Sequence, residues 1–491
     1  MLKRSFRRPM DFCIFNLNIG SFMKIKNKQI FTNLFNKGLR IERQGNTVTV
    51  SSQGEIDVDI LLPENFDIET LALEQLMSFA HFKSHKGTSM KCACATPDFH
   101  KGSVIPVGSV VVTPETMVIP SAIGTDINCG MRLHKTGLDL NKFLAIKKPL
   151  TQMLKGDLLE GTRDVPTTGD AMKALFDDGL ADFWAVMQKN PKGIFSQIDY
   201  HKVNEELKSL HPSAFLKGNS SFAPEALINR QWLRDPSFAT LGGGNHFLEF
   251  QVVKSIVDRK KAYEVGLKVG DVVYMIHTGS RDVGFYVGGR WMDKAKTLYP
   301  KGIKHPLHGV YAIEDEYVQE YLDAMHSAAH YATANRAVLA EIVRQRVKKL
   351  TNSDYDGLIA DVPHNIILKE STGNVHRKGA TPAYNNQLLL IPGSMGHDSY
   401  LLNGLGSEKW LQSASHGAGR NYSRNTISFK GKKDYSLLGL EGVECITLKE
   451  ERKIEEAPGA YKDIGQVISS QVQESVVSPI AVFSPLMTFK A

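Results

Sequence analysis

The chain has 491 residues, 42% of them hydrophobic, with 59 Lys plus Arg against 52 Asp plus Glu and a formal net charge of +7. A chain of this length and composition can bury a large core, which excludes an intrinsically disordered protein. The basic excess leaves room for a polyanionic partner without requiring one, and no apolar run approaches the ~18 residues that cross a bilayer, so no membrane is expected.

The first segment, MLKRSFRRPMDFCIFNLNIGSFM, is Arg-rich, but Asp11, Asn16 and Asn18 break its apolar stretch, which argues against a signal peptide. We read residues 1–22 as a divergent or disordered extension and place the start of the domain at Met23; a transit peptide is the other reading. The five cysteines, Cys13, Cys92, Cys94, Cys129 and Cys445, are too few and scattered for a disulfide framework, and a reducing, cytoplasmic compartment fits them. Length alone would allow about three domains, yet there is no repeat, low-complexity tract or long linker, so one large domain is expected.

In chain order, SVIPVGSVVVTPETMVIP (103–120) is rich in β-branched residues and bordered by turn residues, as buried strands are. DAMKALFDDGLADFWAVMQK (170–189) is amphipathic and free of proline, and reads as a helix. DVVYMIHTGS (271–280) reads as another strand. Residues 313–350 carry apolar side chains at three-to-four spacing, acids early and bases late, as a long helix or helix pair does. The class is mixed α/β, with strand directions left open.

The chemistry sits at the turn ends of these elements. In IGTDINCG (123–130), Asp126 and Cys129 lie three residues apart within a glycine-bounded turn, and a carboxylate and a thiolate there could share Zn²⁺, Mn²⁺ or Fe²⁺. A buried structural Cys beside a helix-capping Asp is the alternative. In TLGGGNHFLEF (240–250) three glycines precede Asn245 and His246, with Glu249 beyond; so many glycines are costly unless the backbone must stay open for a phosphate or metal. The other reading is a flexible loop beside a core histidine. IHTGSRDVG (276–284) ends a strand in His277 and turns into Arg281, whose planar fork suits a phosphate as well as a surface ion pair.

DVPHNIILKE (361–370) offers His364 and Asn365 after a proline, and VHRKGATPA (375–383) offers His376, Arg377 and Lys378, which fit a solvated basic turn better than a phosphate loop. LIPGSMGHDSYLL (390–402) and SASHGAGRNYSR (413–424) supply Ser394, Ser399, His416, Gly417, Gly419 and Arg420. A neutral imidazole at His416 could attack phosphorus while Arg420 steadies the charge; a glycine-rich surface loop with an incidental His is the competing view. The chain lacks GxxxxGK[ST], HExxH, a GxGxxG after a strand, and the KxDG lysine motif, so nucleotide transfer would need a nucleophile other than lysine.

Taken in order, TPDFHKGSVIPVG, GTDINCGMR, GGGNHFLE, HTGSR, PHN, HRKGATPA, PGSMG, SHGAGR and EEAPGAYKDI resemble the RtcB family of RNA ligases, from about Thr96 to Lys490. The resemblance implies a large single catalytic domain over 23–491, with central β-sheets flanked by helices. It implies joining of RNA 2′,3′-cyclic phosphate or 3′-phosphate ends to 5′-hydroxyl ends, using GTP and two Mn²⁺ ions. Carried over residue by residue, Asp126, Cys129, His246, His277 and His364 become the metal ligands, with Cys129 bridging, and His416 becomes the guanylylated nucleophile. Nucleotide contacts fall to Asn245, Glu249, Asn365, Ser394, Ser399, His416, Gly417, Gly419, Tyr461 and Lys490, while Arg281 and Arg420 meet phosphate or RNA, Arg281 in the same cleft. A monomer served by an archease-type activator is expected.

Two departures stand out. Asp282 follows Arg281 where the family more often has glycine, and the segment up to about Lys91 matches less well. Both fit a divergent subgroup acting in RNA repair as readily as in tRNA splicing. The competing functions are a metal-dependent cyclic phosphodiesterase that opens RNA ends without sealing them and a catalytically silent RNA-binding protein.

Overall fold

Two large sheets are joined through one residue, and that junction positions the site. The structure, a computed structural model, describes residues 38–352, 354 and 356–491, together with Thr32, Asn36 and the backbone of Met23–Lys24. The extension expected over 1–22 lies outside the described residues.

The first sheet has eight strands. Gly357–Pro363, Gly130–Asp139, Asp271–Thr278, Phe247–Ile256, Val477–Phe489, Ser399–Gly404 and Leu388–Ile391 are neighbours in that order, and Cys445–Ile446 adds to Val477–Phe489 off this path. The second has seven: Asn365–Glu370, Gly373–Lys378, Val107–Thr113, Cys92–His100, Val58–Leu61, Thr47–Ser51 and Arg40–Gln44. Pairing is antiparallel apart from Cys445–Ile446 with Val477–Phe489 and Val58–Leu61 with Cys92–His100. His364 is the single residue between Gly357–Pro363 of one sheet and Asn365–Glu370 of the other.

The strand Asp271–Thr278 shows why its sequence is one continuous apolar run. Val272, Tyr274 and Ile276 point into the main core, whereas Val273 and Met275 enter a second cluster on the opposite face, so both faces are covered. The main core is organised by the helix Glu316–Thr351, whose alanine-rich middle is buried on all sides and packs on this sheet. The helices Leu140–Leu159, Gly169–Asp178 and Leu180–Met187 pack around it, and rings such as Phe183, fully buried beside Trp184 and Phe195, each contribute roughly 1.5–3 kcal/mol. A third cluster fills the space between the seven-stranded sheet and the helix Thr70–Ala80. The class is mixed α/β, as the sequence patterns predict.

Four local expectations need correction. The run over 170–189 is two helices, because Gly179 adopts φ 95° and ends one helix while starting the next. The run from 313 begins with a short strand, Ile313–Glu314, before the helix starts at Glu316. His376, Arg377 and Lys378 form no loop: they belong to the strand Gly373–Lys378, where His376 and Arg377 are buried and Arg377 pairs with Glu370. The strand expected over 103–120 appears as Val107–Thr113 and Met117–Val118, split by a turn. Among the described residues, no helix is long and apolar enough to cross a membrane.

Candidate active site

Register in the eight-stranded sheet carries the chemistry to one end of it. Gly130 pairs with Pro363 on one side and Thr278 on the other, and His277 pairs with Phe247. The residues flanking those pairs are Cys129, His364 and His246, so four side chains from distant parts of the chain meet at a common edge. Asp126 joins them from the turn that leads into Gly130–Asp139.

The distances are short. Cys129 Sγ lies 3.3 Å from His246 Nε2 and 3.2 Å from His277 Nε2. His246 Nε2 is 3.1 Å from Asp126 Oδ2, and His277 Nε2 is 3.1 Å from His364 Nε2. Two carbonyls set the tautomers: His246 Nδ1 donates to Leu241 O at 2.9 Å and His277 Nδ1 to Asn245 O at 3.2 Å. Both Nε2 atoms then carry lone pairs, that of His246 facing the thiol and the Asp126 carboxylate and that of His277 facing the thiol and the His364 imidazole. Bare lone pairs facing one another repel, and a divalent cation between them removes the conflict, so this donor set fits a metal. Cys129, His277 and His364 form one triad of ligand atoms, and Asp126, Cys129 and His246 form another, with the thiol common to both.

For the imidazoles and the carboxylate the electrostatics agree with that picture; the thiol would lose its proton only to a bound cation. Burial pushes the thiol of Cys129 far up, and the neighbouring Asp126 adds to the shift. His277 and His364 fall well below the usual imidazole range, first through burial and then through neighbouring histidines. Burial would raise Asp126, but His246 and the hydrogen bonds it receives hold it below the ordinary carboxylate range. Neutral imidazoles beside an ionised carboxylate are the forms that coordinate metal.

The turn is braced from beneath. Arg336, buried in the helix Glu316–Thr351, donates to Asn128 O at 2.8 Å and Thr278 O at 3.0 Å, and forms a fork on Asp361 with a 2.7 Å contact. Asn128 takes φ 53° and donates to Ala329 O at 2.7 Å. Two glycines are required by close approach: a Cβ at Gly130 would stand 2.6 Å from Val362 O, and one at Gly279 would stand 2.1 Å from Asp126 Oδ1. Arg336 carries no motif in the sequence, because a lone Arg on a helix reads as surface.

His416 follows the strand Ser413–Ser415, and its ring lies 4.8 Å from that of His364. Its Nδ1 meets Asp98 Oδ2 at 2.6 Å, and Thr96 Oγ1 donates to Asp98 Oδ1 at 2.5 Å. Asp98 is fully buried; burial would raise it, and the His416 imidazole holds it below the usual carboxylate range. A carboxylate on Nδ1 leaves Nε2 with a free lone pair, the arrangement of an activated nucleophile. Gly419, at φ 73°, admits this contact, since a Cβ there would sit 2.3 Å from Asp98 O. Asp98 lies inside TPDFH, so its signal was present, but only the fold pairs it with His416 across 318 residues.

His416 opens onto a cavity of about 490 Å³, which is also lined by Asn245, Glu249, Ser394, Gly417, Gly419, Arg420, Tyr461 and Lys490. Glu249 is buried there and pushed up to about 7 by desolvation, though Thr488 and Gln251 bond to it. Burial lowers Lys490, whose Nζ reaches Gly244 O and His246 O, each at 3.3 Å. Arg420 is engaged: it donates to Glu456 at 3.1 Å and Tyr461 OH at 3.2 Å, and Arg424 shares that carboxylate. Asn365 and Ser399 are not on the cavity wall. Asn365 ties Asp126 O to Gly379 N, and Ser399 Oγ accepts from Gln251 and Gly393 N.

Arg281 lies elsewhere. At φ 49° it opens the helix Arg281–Leu298, donates to Thr240 Oγ1 at 3.2 Å, and lines a separate groove of about 560 Å³. The loop Gly242–Gly244 lies between that groove and the first cavity; a Cβ at Gly242 would strike the Arg281 guanidinium at 2.1 Å. Asp282 is an acid in the first turn of this helix, where the helix dipole favours it.

Fold and site therefore define a mixed α/β protein whose sheet edge holds a cluster of thiol, imidazole and carboxylate groups beside a cavity lined by His416. The family described as tRNA-splicing ligase RtcB matches residues 75–491, starting earlier than the motifs alone indicate, and the chain belongs to that family. It is 30% identical over 481 residues to the tRNA-splicing ligase RtcB of Methanococcus maripaludis, covering 89% of this chain and 94% of that one. It is 32% identical over 435 residues to the tRNA-splicing ligase RtcB of Thermococcus kodakarensis, covering 81% and 87%. The RNA-splicing ligase RtcB of Mycobacterium tuberculosis is 30% identical over 436 residues, 81% of this chain and 96% of its own.

Proposed function

We propose that the chain is a GTP-dependent RNA ligase that joins 2′,3′-cyclic phosphate or 3′-phosphate ends to 5′-hydroxyl ends, in RNA repair or tRNA splicing, with residues 23–491 as one catalytic domain. The observation that carries this reading is the Asp98–His416 pair set beside the two triads that share Cys129. Two divalent ions on Asp126, Cys129, His246, His277 and His364 would supply Lewis-acid stabilisation of phosphate charge. Ligand types leave the ion open, and Mn²⁺ rests on the family resemblance.

The chain's own residues then have assignable work. Asp98 retains the proton on Nδ1 of His416, so Nε2 attacks the α-phosphorus of GTP, forming an N–P bond as the bond to pyrophosphate breaks. Glu249 and Lys490 sit where a guanine and its phosphates would be held, and Tyr461 offers a ring face and a hydroxyl. A 3′-phosphate, produced from the cyclic form by water, next takes the guanylyl group from His416. The 5′-hydroxyl attacks the activated 3′-phosphorus, and GMP leaves. The phosphodiesterase reading uses the same metal ligands but leaves the Asp98–His416 pair without a task.

Incubation with α-labelled GTP and Mn²⁺ should give acid-labile labelled protein. Retention of the label in His416→Ala would remove the nucleophile from this account.

A further inference from the structure

Beyond the cavity mouth, the segment after the nucleophile carries a surface that the metal and nucleotide chemistry does not use. The helix Arg424–Lys433 reads RNTISFKGKK: four cations and no acid. One face is fixed inward. Ile427 and Gly431, four residues apart, are buried, and a Cβ at Gly431 would stand 2.5 Å from Leu438 Cδ2, so the helix is pressed onto the turn Tyr435–Leu438. Phe429 lies two residues from each of these, about 200° round the helix. It is accordingly 62% exposed, and Tyr435, in the turn that follows the helix, is 66% exposed.

The lysines here lack acidic partners. Lys430 Nζ lies 4.1 Å from the centre of the Tyr422 ring and Lys433 Nζ 4.5 Å from that of Phe429, and neither these nor Lys432 makes an ion pair among the described residues. Exposed rings interleaved with unpaired ammonium groups match the needs of single-stranded nucleic acid, in which bases stack and phosphates seek cations. The first turn of this helix and the residues that lead into it reach the cavity at His416: Tyr422, Ser423, Arg424 and Thr426 line its wall together with His416.

Building on the RNA-ligase reading, we propose that Phe429, Tyr435, Lys430, Lys432 and Lys433 form a stacking platform for the single-stranded RNA that bears the 3′-phosphate. The strand's end must reach the guanylyl group on His416, and a helix of ten residues, ~15 Å long, holds a few nucleotides leading to that wall. Positive charge and open rings at the rim favour RNA over a protein partner.

The test uses the full chain and fluorescent 12-mer oligoribonucleotides, one ending in a 3′-phosphate and one offering only a 5′-hydroxyl. Anisotropy should show Phe429→Ala/Tyr435→Ala weakening the 3′-phosphate strand about tenfold or more, with Phe429→Trp restoring affinity in the Tyr435 background. Lys432→Ala/Lys433→Ala should reduce the salt dependence of binding by one to two phosphate contacts. All four side chains are exposed, and an unchanged melting temperature would show that the fold is intact. Affinity within twofold of wild type, or loss confined to the 5′-hydroxyl strand, overturns the assignment. So does intact RNA binding with a lost response to a protein activator. Guanylylation by GTP is measured on the same samples: its absence in wild type would sink the ligase reading, whereas a label with unaltered RNA affinity would sink the platform alone.

Discussion

Asp98 governs His416 through a 2.6 Å contact to Nδ1, so its amide variant should keep the shape and lose the function. Asp98→Asn permits the wrong tautomer, and the rate of protein guanylylation should fall roughly 10²–10⁴-fold, read in a single-turnover label assay. Rates within threefold of wild type would show that the pair does not activate the imidazole. Glu249 gives a pH signature. Desolvation raises it from 4.5 to about 7 in the folded chain, so folding takes up a proton between those values. Its neutral form imposes no penalty below pH 4.5; stability is lost as pH rises through about 7, by at most about 3 kcal/mol. Glu249→Gln should flatten that part of the unfolding free energy against pH in urea titrations, and an unchanged slope would refute the burial argument. At this scale the sequence was informative where a motif concentrates polar residues, as in GTDINCG and SHGAGR. Asp98 and Arg336 escaped because their roles exist only through partners far away in the chain.

The helix Glu316–Thr351 and the turn before Gly130–Asp139 are coupled by Arg336, whose fork on Asp361 and contacts to Asn128 and Thr278 carbonyls are all buried. Removing one partner of a buried pair costs about 3–5 kcal/mol, and Arg132, still bonded to Asp361, keeps the cost near the lower bound. Arg336→Ala should therefore lower stability by about 3 kcal/mol in chemical denaturation and weaken metal retention. A change below about 1 kcal/mol would mean that water replaces the guanidinium. Gly419→Ala tests the other close approach: the 2.3 Å clash with Asp98 O and the positive φ should displace Asp98 and depress guanylylation. Elements were legible where an unbroken β-branched run meets a turn, as in Asp271–Thr278. They were misjudged where a single residue resets the backbone, as Gly179 does between two helices, or where a buried Arg377 mimics a solvated turn.

Across the whole molecule, five ligand candidates from four segments meet because strand register aligns Cys129, His246, His277 and His364 at one sheet edge, with His364 as the link to the second sheet. Sequence order alone gives neither register nor strand direction, so the convergence of these residues could be inferred before the structure only through family resemblance. Nor does sequence order show that Arg281 lines a groove of its own, apart from the cavity that His416 lines. Sealing of RNA is the activity that requires the ligand cluster and His416 together. Two oligoribonucleotides, one with a 3′-phosphate and one with a 5′-hydroxyl, should yield a joined product with Mn²⁺ only when GTP is present, and none with Cys129→Ala or His416→Ala. Opening of a 2′,3′-cyclic end without GTP, and with no joined product under any condition, would contradict it.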